Sequence, residues 1–175
     1  MTIGRPAPAA RPRDLIFFLC RILRDYKLGN FKEMNLETQW VVGFIDGEGC
    51  FHVQINKSET LKVGYQVLLE FVVSQHCRSI NVLHALKARF KTGVIRKESS
   101  KPGETGRQYR VRNTKDLRSI IVPFFEQHEL KTTKRIDFRK FRYILIMMER
   151  GEHLTSEGLE KIRKIKGTMN LKNLR

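Results

Sequence analysis

Val41-Val42-Gly43-Phe44-Ile45-Asp46-Gly47-Glu48-Gly49 decides how this chain folds, because it joins an apolar helical run to two acids and three glycines. Trp40, Val41, Phe44 and Ile45 recur at helical spacing and predict one apolar face. Gly43 and Gly47 lie four apart and clear side chains from one stripe, which lets two helix backbones approach closely. In a solvated helix each glycine costs roughly 1 kcal/mol against alanine, so a neighbour should use the space. Asp46 and Glu48 stand where Gly47 and Gly49 end the helix, facing the negative end of its dipole. They need a cation, and two readings supply one: a salt bridge at a buried helix end, or a metal site.

Working outward, Asn35 is placed to cap this helix. After it, Phe51 to Asn56 alternates apolar odd positions with polar even ones, which predicts a two-faced strand. A second strand follows, with Tyr65, Val67, Leu69, Phe71 and Val73 on one side and Gln66, Leu68, Glu70, Val72 and Ser74 on the other. Ile80, Leu83, Leu86 and Phe90 predict a core-facing helix from Cys77 to Phe90. Gly93 then opens a further strand pair, Val94 to Lys97 and Gln108 to Asn113, joined by a Ser/Lys/Pro/Gly/Glu turn. Thr114 is placed to cap a helix that Pro123 should interrupt. Phe138, Phe141, Leu145 and Met148 mark the next helix, and Leu159, Ile162, Ile165 and Met169 a last one behind a Thr155 cap.

Helix, strand, strand, helix, strand, strand, helix with short connections implies an α+β layer, an antiparallel sheet covered by helices on one side. The uncovered face would carry His52, Gln54, Asn56, Gln66, Arg96, Gln108, Arg110 and Arg112, residue types that hydrogen-bond base edges and phosphates. A merely solvated face usually carries Thr, Ser, Glu and Lys. The amide and arginine content therefore favours a saddle that reads DNA.

Charge agrees with that face. Lys and Arg outnumber Asp and Glu by 34 to 18, a formal +16 beyond what solubility requires, so a polyanion is the expected partner. The basic residues are spread over strands and helices and not gathered on one amphipathic segment, which favours nucleic acid over membrane. Cys20, Cys50 and Cys77 form no zinc or disulfide pattern and suit a reducing, intracellular compartment. Residues 1–34 differ from the rest: a Pro- and Arg-rich start is followed by a short apolar run, reading as a basic extension with a helix near Asp14 to Tyr26. The expected division is therefore this extension, a domain over 35–170, and a tail over 171–175.

The motif resembles, almost position for position, the one that names the LAGLIDADG homing endonucleases. The resemblance continues from about Asn35 to Asn170, about three quarters of the chain, through Gln75, Lys131 and Glu152-His153-Leu154-Thr155. Val41 and Val42 replace Leu and Ala, and Glu48 stands at the second acid, which the family fills with Asp or Glu. The resemblance implies an αββαββα fold with a four-stranded DNA-binding sheet plus C-terminal helices. It further implies a Mg²⁺-dependent, site-specific double-strand DNA endonuclease serving intron mobility. An RNA maturase acting on intron RNA and a non-catalytic DNA-binding regulator are the alternative roles on this scaffold.

Acids aimed at a polyanion repel it unless hard divalent cations intervene, and Mg²⁺ prefers carboxylate oxygens, water and phosphate. Glu48 is thus the expected metal ligand, with the Gly49 carbonyl beside it. By resemblance, Gln75 positions water and Lys131 stabilises charge on phosphate; the residues alone do not separate Lys131 from Lys134 or Arg135. The resemblance also implies that Asp46 orders the motif helix. Ser58 and Glu70 join the DNA-contacting set. The motif occurs once, so a homodimer is expected, with Val42, Gly43, Asp46 and Gly47 at its interface and a pseudo-palindromic target.

Overall fold

The computed structural model describes residues 34–99 and 105–170. The chain divides into two units, Met1–Met34 and Asn35–Arg175, and the described helices and strands belong to the second. The helix read at Asp14 to Tyr26, most of the Ser/Lys/Pro/Gly/Glu turn and the tail over 171–175 lie outside the described residues.

The motif helix α1 (Thr38–Glu48) runs into β1 (Gly49–Lys57), which pairs with β2 (Tyr65–His76). A short 3₁₀ turn, Cys77–Ser79, leads into α2 (Ile80–Phe90), followed by β3 (Val94–Lys97) and β4 (Gly106–Val111). The strands form one four-stranded sheet in the order β1-β2-β4-β3, antiparallel throughout, as the alternating patterns predict. Three helical pieces come next, α3 (Thr114–Asp116), a π turn over Leu117–Ile121, and α4 (Val122–Gln127). Two longer helices close the described chain, α5 (Lys134–Glu149) and α6 (Ser156–Gly167).

Strand alternation separates the two faces of the sheet. Phe51, Val53, Val67, Leu69, Phe71, Val73, Tyr109 and Val111 are buried toward the helices. Phe51 lies at the centre, its ring 5.4 Å from Phe71, 5.5 Å from Phe125, 5.2 Å from Phe138 and 5.4 Å from Phe141. Burying each such ring contributes about 1.5–3 kcal/mol, so this aromatic knot holds α4 and α5 onto β1 and β2. Gly93 shows how closely the connections pass: at φ +81° it carries the chain out of α2, and a Cβ there would lie 2.6 Å from the Tyr109 ring.

Several local expectations change. Glu37, not Asn35, precedes α1, without a side-chain cap. Arg89 of α2 ties the start of α1 to the rest of the domain in another way, donating to the Leu36 carbonyl at 2.8 Å and to Thr38 Oγ1 at 2.6 Å. Asn113, one residue before Thr114, caps α3 by accepting from the Lys115 N–H. Pro123 sits in the first turn of α4 and does not interrupt it, because the wider π turn before it relieves the clash a proline ring makes with a preceding carbonyl. The apolar face of α1 is also rotated from its expected position: Val41, Val42 and Ile45 enter the core, while Trp40 is 45% exposed and stacks on Phe44 at 4.8 Å.

Candidate active site

α1 ends by turning directly into β1. Gly49 is extended at φ −77°, ψ 157°, its N–H donates to the Ile45 carbonyl, and a Cβ at this position would meet Ile45 Cγ2 at 2.6 Å. The carbonyls at such a helix end lack intrahelical donors. Lys134, in the first turn of α5, supplies them: its ammonium donates to the Gly49 carbonyl and reaches the Gly47 carbonyl at 3.4 Å. Burial lowers the Lys134 pKa below that of an ordinary lysine, and the nearby Cys50, Asp46 and Glu48 partly oppose this.

Asp46 explains why Lys134 arrives there. One carboxylate oxygen accepts the Lys131 N–H at 2.6 Å; the other accepts the Thr132 N–H at 3.3 Å and the Thr132 hydroxyl at 2.8 Å. Hydrogen bonds to an ionised carboxylate contribute about 1.5–3 kcal/mol, so Asp46 draws the loop before α5 onto the end of α1. Glu48, two residues on, is exposed. β2 brings the next candidate: Val73 lies opposite Gly49, so Ser74 and Gln75 run on toward the same end of α1.

The positions differ from expectation in two respects. Lys131 contributes its main-chain N–H while its residue is exposed, and the ammonium that reaches the helix-end carbonyls belongs to Lys134. The sequence offered Lys134 as a candidate and had no signal to choose it, since the choice depends on the loop that Asp46 folds. The Gly49 carbonyl, expected beside Glu48 as a metal ligand, accepts from this ammonium instead, because a helix-end oxygen binds the nearest cation.

On the open side of the sheet, register brings the expected contacts together. Asn56 lies opposite Gln66 and His52 opposite Glu70 across β1 and β2, and Arg96 faces Gln108 across β3 and β4. Asn56, Gln66, Arg96 and Arg112 are exposed, whereas His52, Gln54, Gln108 and Arg110 are half-buried. Ser58 closes the β1–β2 hairpin, its N–H donating to the Gly64 carbonyl at 2.9 Å. Burial lowers the His52 pKa, and Lys166 and Arg110 depress it further against the opposing charge of Glu70. Glu70 itself is 1% exposed and ion-paired to Arg110 and Arg112, so it lies beneath the contact surface and not on it. On the helix-covered side, by contrast, the Arg163 guanidinium of α6 lies 4.4 Å from the centre of the Tyr65 ring, a contact no strand pattern could reveal.

Among the described residues, a Cβ at Gly43 or Gly47 on the outer side of α1 would meet nothing within 4 Å, and both residues are exposed beside Trp40. Val42, expected at a subunit interface, is 2% exposed within the chain's own core; it belongs to the buried arc with Val41 and Ile45.

Comparison with known proteins gives a consistent assignment. Residues 41–145 match the family described as LAGLIDADG endonuclease. The fold is similar to that of the homing endonuclease I-TnaI, at 53% identity and TM-score 0.74, covering 80% of this chain and 92% of that one. It is also similar to I-SmaMI bound to cleaved DNA, at 35% identity and TM-score 0.73, covering 79% of this chain and 46% of that one. A probable intron-encoded endonuclease of Neurospora crassa is 32% identical over 133 residues, 75% of this chain and 24% of that protein. The chain spans about a quarter of the length of the first curated relatives it matches. With the motif helix, the αββαββ order and the four-stranded sheet in place, these matches establish that the chain belongs to the LAGLIDADG endonuclease family and has the homing endonuclease fold.

Proposed function

We propose that this chain is a site-specific endonuclease that cuts both strands of a DNA duplex with the help of Mg²⁺, acting as a homodimer. The observation that carries the reading is the exposed Glu48 at the end of a glycine-striped helix, beside a basic sheet face. The basic face suits the phosphate backbone, and its amides and arginines suit base edges. Relatives named as intron-encoded endonucleases, and a neighbour solved on cleaved DNA, support a role in intron mobility.

The donor set fits a hard cation, but one chain supplies little of it. Among the described residues no three His, Cys, Asp or Glu side chains gather as a metal site. Glu48 provides one carboxylate, and a second copy packed through Gly43 and Gly47 would bring another beside it, with DNA phosphate completing an all-oxygen set. A Mg²⁺ ion held there by Glu48 would supply Lewis-acid activation of water and charge stabilisation at the leaving oxygen. Gln75 orients water at the end of β2. Lys134 holds a positive charge at the helix end where the scissile phosphate arrives, and Lys131 is assigned to the backbone of the loop and the phosphates around it. A match to 92% of I-TnaI but 46% of I-SmaMI supports one chain serving as one half of the complete site.

The test is selection of cleaved duplexes from a randomised library in Mg²⁺, followed by sedimentation of the purified protein on a selected site. Two chains per pseudo-palindromic duplex and one cut in each strand are expected. A monomer that cuts both strands of an asymmetric site would overturn the shared-site reading, and failure to enrich any duplex would overturn the endonuclease reading.

A further inference from the structure

Glu70 is the one charged side chain buried among the described residues, and it sits under the most basic part of the sheet. Burial of an unpaired carboxylate is costly, so its partners matter. Arg112 donates to one of its oxygens, and the Arg110 guanidinium lies 3.4 Å from the other. The contacts continue across β4: Arg110 donates to the Gln108 side-chain oxygen at 3.0 Å, and the Gln108 amide donates to Ser74 at 3.2 Å and to Glu98 at 3.3 Å. Arg112 remains 47% exposed and Arg110 15%, so one guanidinium is presented outward and the other is held beneath it.

We infer that Glu70 is a positioning residue for sequence readout: it fixes the orientation of Arg110 and Arg112, and through them Gln108, so that the N–H groups left over face particular bases. The inference rests on the reading of this sheet as the DNA-contacting face. The reason is entropic and geometric. A free arginine can reach many phosphates, whereas one anchored by a carboxylate presents its remaining donors in a fixed fork that matches a guanine edge. Anchoring also spends part of the charge, so it trades general attraction for discrimination.

Glu70→Gln keeps the shape and removes the anchor's charge. Its binding, and that of the wild-type chain, is measured in Ca²⁺ on duplexes selected by the wild type, on every single-base variant of them, and on unrelated DNA. Discrimination should fall about tenfold at the base pairs that Arg112→Gln also affects, and Arg110→Gln, which removes the group held beneath, should affect the same pairs. Affinity for unrelated DNA should hold or rise, with a salt slope steeper by up to about one unit. Unchanged base preference, or uniform weakening on every duplex, overturns the inference while leaving the DNA face intact. Absence of specific binding by the wild type overturns the DNA-face reading and the inference with it. If Glu70→Gln does not fold, the Arg110→Gln/Arg112→Gln double-mutant cycle decides: a shared anchor makes the two losses of discrimination non-additive, and additive losses overturn the proposal.

Discussion

At the end of α1 and on the open face of the sheet, carboxylates meet a basic surface in opposite ways. Asp46 is satisfied by main-chain and hydroxyl donors of Lys131 and Thr132, and the neighbouring Glu48 stays exposed. Glu70 is buried, with a hydrogen bond from the Arg112 guanidinium and an ion pair to that of Arg110. Backbone donors spent on one acid shape a loop and leave the next acid open to a ligand. Arginine donors spent on an acid shape the arginines. The helix end therefore suits chemistry and the sheet suits recognition, although both contain the same residue types.

Substitutions can break this contrast. The largest effect is expected from Glu48→Gln, which should reduce cleavage on the order of a thousandfold while leaving specific binding in Ca²⁺ and thermal stability near wild type. Retained cutting would remove Glu48 from the metal site. Next, Lys134→Met should slow cleavage about a hundredfold in single-turnover assays. Lys131→Met, at an exposed side chain, should stay within about threefold. A larger loss from Lys131→Met than from Lys134→Met would reverse the assignment of the two lysines.

Asp46→Asn tests the structural half of the helix-end site. It weakens three hydrogen bonds by removing the carboxylate charge, so stability should drop by about 1–3 kcal/mol in urea unfolding, and cleavage should fall with it as Lys134 loses its support. An unchanged midpoint would mean that the loop is held by something other than Asp46. A smaller effect on stability than that of Asp46→Asn should come from Gly43→Ala, where the open space predicts a gain of up to about 1 kcal/mol for the dilute single chain. The same substitution should weaken self-association in sedimentation, since the added methyl groups keep two helices apart. Association at wild-type strength would place the dimer contact elsewhere.

Much of this was legible in the linear chain, because it rests on local chemistry. Period-two alternation in Phe51 to Asn56 and around Tyr109 and Val111 assigned the faces of β1 and β4, since successive side chains in a strand must point to opposite sides. The αββαββ order followed from where each periodicity began and ended. That an acid at a helix C-terminus in a basic chain needs a cation pointed to Asp46 and Glu48 alike; the family resemblance, not the pattern, set Glu48 apart. Other features depend on residues distant in sequence. Lys134 was indistinguishable from Lys131 until Asp46, 85 residues away from Lys131, folded the loop between them. Val42 and Trp40 exchanged their expected places because the direction in which a helix turns is set by what it packs against, which the helix's own pattern leaves open. Glu70 read as one more polar residue on an outward face; only the approach of β4, with Arg110 and Arg112 some forty positions downstream, made it a buried anchor. Composition and periodicity thus determined the elements, their order and the sign of the partner's charge, while tertiary structure decided which acids are occupied and which cation each receives, because a charge is defined by its nearest neighbours in space.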